Sequence, residues 1–225
     1  MTRQPNLLVA AILALAVNSV AHAAPINTVF GNLGANGTDP LAASTNAGIS
    51  DSTWLMHGFT VGSPKNILQT VRLGLFDNDS TIARVQIYQD SSGLPSGSPL
   101  GTQSAAVSSV TPAFQTFDFG NLALTTGSSY WVVVSAPNAS SLFNWAFNDN
   151  GDFPGTQNAS GWTPLSPVTK ISTDSGLNWA NSGSNRPAAI SITAVPEPST
   201  YAMAAVGFAA AGLARWRRRM TRAGR

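Results

Sequence analysis

The 225-residue chain contains no cysteine, a single glutamate (Glu197) and two histidines, of which only His57 lies beyond the first 23 residues. Each scarcity closes a route. Without thiols there can be no disulfide framework, thiolate nucleophile, zinc finger or redox pair, so an exported fold has to be held by its apolar core or by a bound metal. Charge is also sparse, and most of the basic residues sit at the chain ends. Between residues 24 and 194, Lys65, Arg72, Arg84, Lys170 and Arg186 stand against nine aspartates, a net charge of −4. Nucleic-acid binding needs a clustered basic face to neutralise phosphates, so no nucleic-acid partner is expected.

Catalytic residues are as scarce. His57 lies in a strand-like run with no G-x-S-x-G elbow anywhere in the chain, and it reads as a strand histidine whose nitrogens are satisfied locally. A paired-carboxylate glycosidase would have to use aspartates. Most of these stand among Asn, Ser and Gly, where Asp bonds its own backbone in turns. The chain is therefore read as a non-enzyme, with a glycan-active hydrolase as the remaining enzymatic alternative.

What is present begins with a targeting segment. Arg3, an apolar run from Leu7 to Val17, a polar break at Asn18 and Ser19, and Ala21-His22-Ala23 follow the order of a secretory signal peptide. Residues 1–23 are assigned to it, with Ala21 and Ala23 as the small residues of a signal peptidase site.

Residues 24–194 form the body. From Thr53 onward, short runs of β-branched and aromatic residues are separated by Gly, Pro, Asn, Asp and Ser clusters, and no segment shows a helical period. In "NILQTVRLGLF", alternation puts Ile67, Gln69, Val71, Leu73 and Leu75 on the core face. "SSYWVVVSA" is apolar almost throughout, as a central strand covered on both sides would be, and alternation in "LFNWAF" aims Phe143, Trp145 and Phe147 at the core. Phe114 falls out of step with Phe117 and Phe119, which implies a bulge or opposite faces. "SSGLPSGSPLG" offers turns and no ladder. The expected fold is all-β: a two-sheet antiparallel β-sandwich of jelly-roll type, flanked by an N-terminal signal helix and a C-terminal transmembrane helix.

Two loops offer hard oxygen ligands at alternate positions, Asp77 and Asp79 in "DNDS" and Asp149 and Asp152 in "NDNGD". That donor set suits calcium, although no glutamate completes an EF-hand loop and both stretches also read as hairpin turns. Trp162 and Trp179 lie among Gly, Ser and Asn. An exposed indole there can stack on the C–H face of a sugar while neighbouring amides bond its hydroxyls; a buried indole would instead plug an end of the sandwich.

The chain ends with Val195-Pro196-Glu197-Pro198-Ser199, an apolar run from Tyr201 to Ala214, and Arg215-Trp216-Arg217-Arg218-Arg219. The run is shorter than the roughly 20 residues of a comfortable span. Flanking residues and snorkelling side chains extend it to a helix of about residues 198–216, with Arg215, Arg217, Arg218 and Arg219 on the cytoplasmic side. This order resembles the PEP-CTERM sorting signal, over residues 195–225. The resemblance implies that a membrane-embedded exosortase recognises Pro196, Glu197 and Pro198, cleaves near them and removes the helix. It further implies an inner-membrane-tethered precursor whose product goes to the cell surface or biofilm matrix. The body is similar to the choice-of-anchor domains that accompany such tails, most nearly the R type, through "VQIYQDSSGLPSGSPLG" and "FQTFDFGNLALTTGSSYWVVV". The expected function is a structural or adhesive role at the surface; the alternative is a carbohydrate-binding module for extracellular polysaccharide.

Overall fold

A computed structural model describes residues 27–32, 41–77, 81–148, 161–165, 169–182 and 188–196. Among these there is no helix, and thirteen strands build two antiparallel sheets. The strands are β1 (Asn27–Gly31), β2 (Leu41–Ile49), β3 (Trp54–Thr60), β4 (Lys65–Phe76), β5 (Thr81–Ser91), β6 (Leu94–Val107) and β7 (Ala113–Ala123), followed by β8 (Ser129–Ser135), β9 (Phe143–Asn148), β10 (Thr163–Pro164), β11 (Lys170–Ser172), β12 (Ala180–Asn181) and β13 (Ile190–Pro196). A six-stranded sheet runs β1-β13-β4-β9-β2 with β7 along the other side of β4, and a seven-stranded sheet runs β12-β11-β3-β8-β5-β6 with β10 beside the end of β3. From β2 to β9 the chain changes sheet at every connection except the β5–β6 hairpin. Those eight strands pair as β2-β9-β4-β7 and β3-β8-β5-β6, the wiring of a jelly roll.

The core lies between the sheets and follows the two-residue period. β8 runs between β3 and β5 and is buried on both faces, as its apolar run predicts. Phe143, Trp145 and Phe147 all point into the core. Phe117 is buried there, whereas Phe114 faces outward beneath the Arg72 guanidinium, 4.3 Å from the ring centre, so the offset in that segment is one of opposite faces.

Two expectations fail for backbone reasons. The stretch read as turns without a ladder is largely β6, which pairs with β5 from Leu94 to Val107. It is an edge strand, where Pro95 and Pro99 can lack an N–H without orphaning a neighbour's carbonyl inside the sheet. Gly97, at φ 72°, sits in the bulge where the register slips between Ile87 and Gln89. In β4, Ile67, Val71, Leu73 and Leu75 are buried as the alternation expects, but Leu68 is fully buried as well, while Gln69 is half-buried and bonds Asn121. Gln69 is the extra residue where β4 slips against β13, between the Thr70↔Thr193 and Leu68↔Ala194 pairs. A bulge of this kind shifts the parity locally, which turns Leu68 inward and Gln69 out.

Candidate functional site

On β3, β8, β5 and β11, every second side chain points away from the core, onto the outer face of the seven-stranded sheet. Register sorts these into rows. Lys170, Met56, Val133, Gln86 and Thr102 form one; Trp131 lies between Gly58 and Tyr88 in the next; Ser172 pairs with Trp54, and Arg84 lies between Ser135 and Ser104, at the far edge. Met56, Trp131 and Val133 form a small buried cluster, and Trp54, Tyr88, Leu165 and Trp179 pack against it while remaining half-exposed. Gly58 makes this packing possible: a Cβ there would lie 2.7 Å from Trp131 Cζ3 and 2.9 Å from Leu165 Cβ.

Polar groups fix the aromatics in place. Trp131 Nε1 donates to Asp90 Oδ1 at 2.7 Å, and Lys170 Nζ lies 5.0 Å from the centre of a Trp131 ring while donating to the Gly93 carbonyl at 2.9 Å. Trp54 Nε1 donates to the Asp51 carbonyl. Arg84 Cζ lies 5.7 Å from a Trp54 ring centre, and its Nε donates to Ser135 Oγ at 3.1 Å. The Tyr88 hydroxyl has its pKa raised by burial, against the opposing influence of the Arg84 charge and a bond from Gln86, so it stays a neutral donor at physiological pH.

Trp179 reaches this face from the turn between β11 and β12. Asp174 organises that turn: its carboxylate accepts from the Asn178 side-chain amide at 2.6 Å, the Asn178 backbone N–H at 2.8 Å and Ser172 Oγ at 2.7 Å. Those bonds, led by the Asn178 amide, hold its pKa down at about 2. Gly176, at φ 87°, lets the turn lie against both indoles, since a Cβ there would be 2.8 Å from Trp54 Cζ3 and 3.7 Å from Trp179 Cζ2.

The other candidate residues fall elsewhere. Trp162 is fully buried on the core side, stacked on Phe59 at 5.1 Å with its Nε1 donating to the Lys65 carbonyl; it plugs one end of the sandwich and offers no face to a sugar. Asp77 is buried, and its Oδ2 accepts the Thr81 backbone N–H at 2.9 Å, bracing its own turn. Asp79, Asp149 and Asp152 lie outside the described residues. Ala21, Ala23, Glu197, Pro198, Arg215, Arg217, Arg218 and Arg219 also lie outside them, as do both expected flanking helices. Pro196 is the last residue of β13, opposite Lys65. His57 departs from expectation: it faces the core beside Phe30, fully buried, and neither ring nitrogen has a hydrogen-bond partner.

Sequence inspection missed Trp54, Trp131, Tyr88, Arg84 and Lys170 as a group. Alternation alone places Trp54 with Met56 and Arg84 with Gln86 and Tyr88, but only cross-strand register brings them together.

Comparison with known families matches residues 194–219 to the PEP-CTERM protein-sorting motif. No curated protein matches the chain. The motif marks the chain as an exosortase target, exported by way of a membrane-anchored precursor.

Proposed function

We propose that the body is an adhesive module of the cell surface or matrix that holds extracellular polysaccharide on the outer face of its seven-stranded sheet. The supporting observation is the group of half-exposed Trp54, Trp179 and Tyr88 rings, set beside the donors Arg84 and Gln86. A pyranose presents a C–H face to an aromatic ring and a rim of hydroxyls to polar neighbours, and this surface supplies both. An open sheet face suits a polymer, which can lie across several strands. The role is binding without catalysis, and the resemblance of the body to choice-of-anchor domains fits a destination at the surface.

The test is affinity electrophoresis of the processed protein through gels containing polysaccharides of the exporting cell. The expected result is retardation that falls about tenfold in affinity in Trp179→Ala, the equivalent of roughly 1.4 kcal/mol. Unretarded migration in every polysaccharide would overturn the binding reading and leave a purely structural matrix role.

A further inference from the structure

We propose that Arg84 forms a carboxylate-binding subsite on this face, and that the polysaccharide held there is acidic, bearing uronate-type sugars. The inference rests on the polysaccharide reading above and names its ligand class. Arg84 is half-buried between Ser135 and Ser104. Its Nε is committed to Ser135 Oγ, and its guanidinium is steadied near the Trp54 ring. Among the described residues, no hydrogen bond or ion pair engages either Nη. The guanidinium is therefore held in orientation with its two-pronged end unspent, and that end matches the two oxygens of a carboxylate.

Among the described residues, the face has no other group that fills this role. Asp90, on the same strand face, is occupied by Trp131 Nε1 and, at 3.4 Å, by the Gly93 N–H. Asp174 is saturated by its own turn. Lys170 is drawn to the Gly93 carbonyl and the Trp131 ring. Arg84 is thus an oriented cation that no described residue neutralises, beside the aromatic rings and the Tyr88 hydroxyl. A uronate ring carries its carboxylate at the edge of the pyranose, so an aromatic contact and a guanidinium contact can be made by one sugar. An acidic peptide offers the carboxylate without the ring, and it serves as the control.

The experiment uses the full chain in detergent, with polygalacturonate, its methyl ester, dextran and polyglutamate as probes at low and moderate salt. Polygalacturonate is expected to bind at least tenfold more tightly than its ester, with the difference shrinking as salt rises. Arg84→Gln should abolish that difference while keeping the wild-type melting temperature, and Arg84→Lys should restore part of it. Trp179→Ala should weaken acid and ester alike. Equal binding of acid and ester, unaffected by Arg84→Gln, would refute the subsite and leave polysaccharide binding standing. Polyglutamate binding as tightly as polygalacturonate would refute the sugar assignment, and no binding of any polysaccharide would overturn both readings together.

Discussion

Replacing His57 by leucine should make the protein more stable, and should flatten its stability between pH 6.5 and 4. β3 points the imidazole between the sheets, opposite Val132 on β8 and 5.8 Å from Phe30. A neutral imidazole always has one donor and one acceptor nitrogen, and here neither finds a partner. Each orphan costs on the order of 1–3 kcal/mol of desolvation. Burial also disfavours the charged form, which lowers the pKa from its ordinary 6.5 to about 4. Between those values the unfolded chain takes up a proton that the folded chain refuses, so stability falls as the solution is acidified. Proton linkage makes that loss about 3 kcal/mol across the window, complete once the pH passes below the folded value. Leucine has nearly the same volume and nothing to desolvate, so His57→Leu should gain about 2 kcal/mol at pH 7. Urea unfolding followed by tryptophan fluorescence, at half-unit steps from pH 4 to 7.5, measures both effects. Asp174 does not confuse the window, because a carboxylate held at about 2 alters stability only below its ordinary 3.8. A variant that is less stable at pH 7, or that keeps the wild-type slope between pH 6.5 and 4, would refute the argument.

Gly58→Ala should cost about 1–3 kcal/mol through overpacking, since the new methyl meets the Trp131 ring and Leu165; a melt within 1 °C of wild type would contradict this packing. Asp77→Ala should cost about 1–2 kcal/mol by stranding the buried Thr81 N–H, equally with calcium and with chelator. A cost that appears only when calcium is present would instead assign Asp77 to an ion. Glu197→Ala should leave the protein membrane-bound at full length, followed by mass analysis of its C-terminus, and normal release of that variant would sink the recognition of Pro196, Glu197 and Pro198.

The elements that were legible in the chain are those whose signal is local. The unbroken apolar run of β8 and the alternation of Phe143, Trp145 and Phe147 carry their burial in the order of their own residues. β6 was hidden because Pro and Gly report what a strand cannot do in a sheet interior, while an edge tolerates them. The Gln69 bulge was hidden because parity is reset by the partner strand, and nothing inside "NILQTVRLGLF" records the slip. The proposed binding face was hidden for the same reason at longer range: Trp54, Arg84, Trp131 and Lys170 come from four strands, and only register makes them neighbours. His57 shows the reverse error, where residue type suggested a satisfied polar group and the fold leaves both ring nitrogens without a hydrogen-bond partner.

Register also relates the sorting motif to the proposed binding face. β1 and β13 pair so that Asn27 lies opposite Ala194, and Pro196 lies opposite Lys65 at the start of β4. The ends of the body that lead toward residues 1–23 and toward Glu197 are therefore adjacent, on neighbouring strands at one end of the six-stranded sheet. Pro196, the first residue of the motif's Pro-Glu-Pro, is thus itself part of the β13–β4 pairing, with no spacer between it and the core. Cleavage at or after Pro196 leaves Ile190, Ile192 and Ala194 in their buried places. The same end holds Thr60 and Ser129, where β3 stops and β8 starts. Trp54 and Ser135 lie at the opposite end of those strands, and Arg84 is beside Ser135. Six residue steps at about 3.3 Å each separate the two ends by roughly 20 Å. The proposed Trp54 and Arg84 row therefore lies at the end of the seven-stranded sheet away from Pro196, clear of the motif that holds the precursor at the membrane.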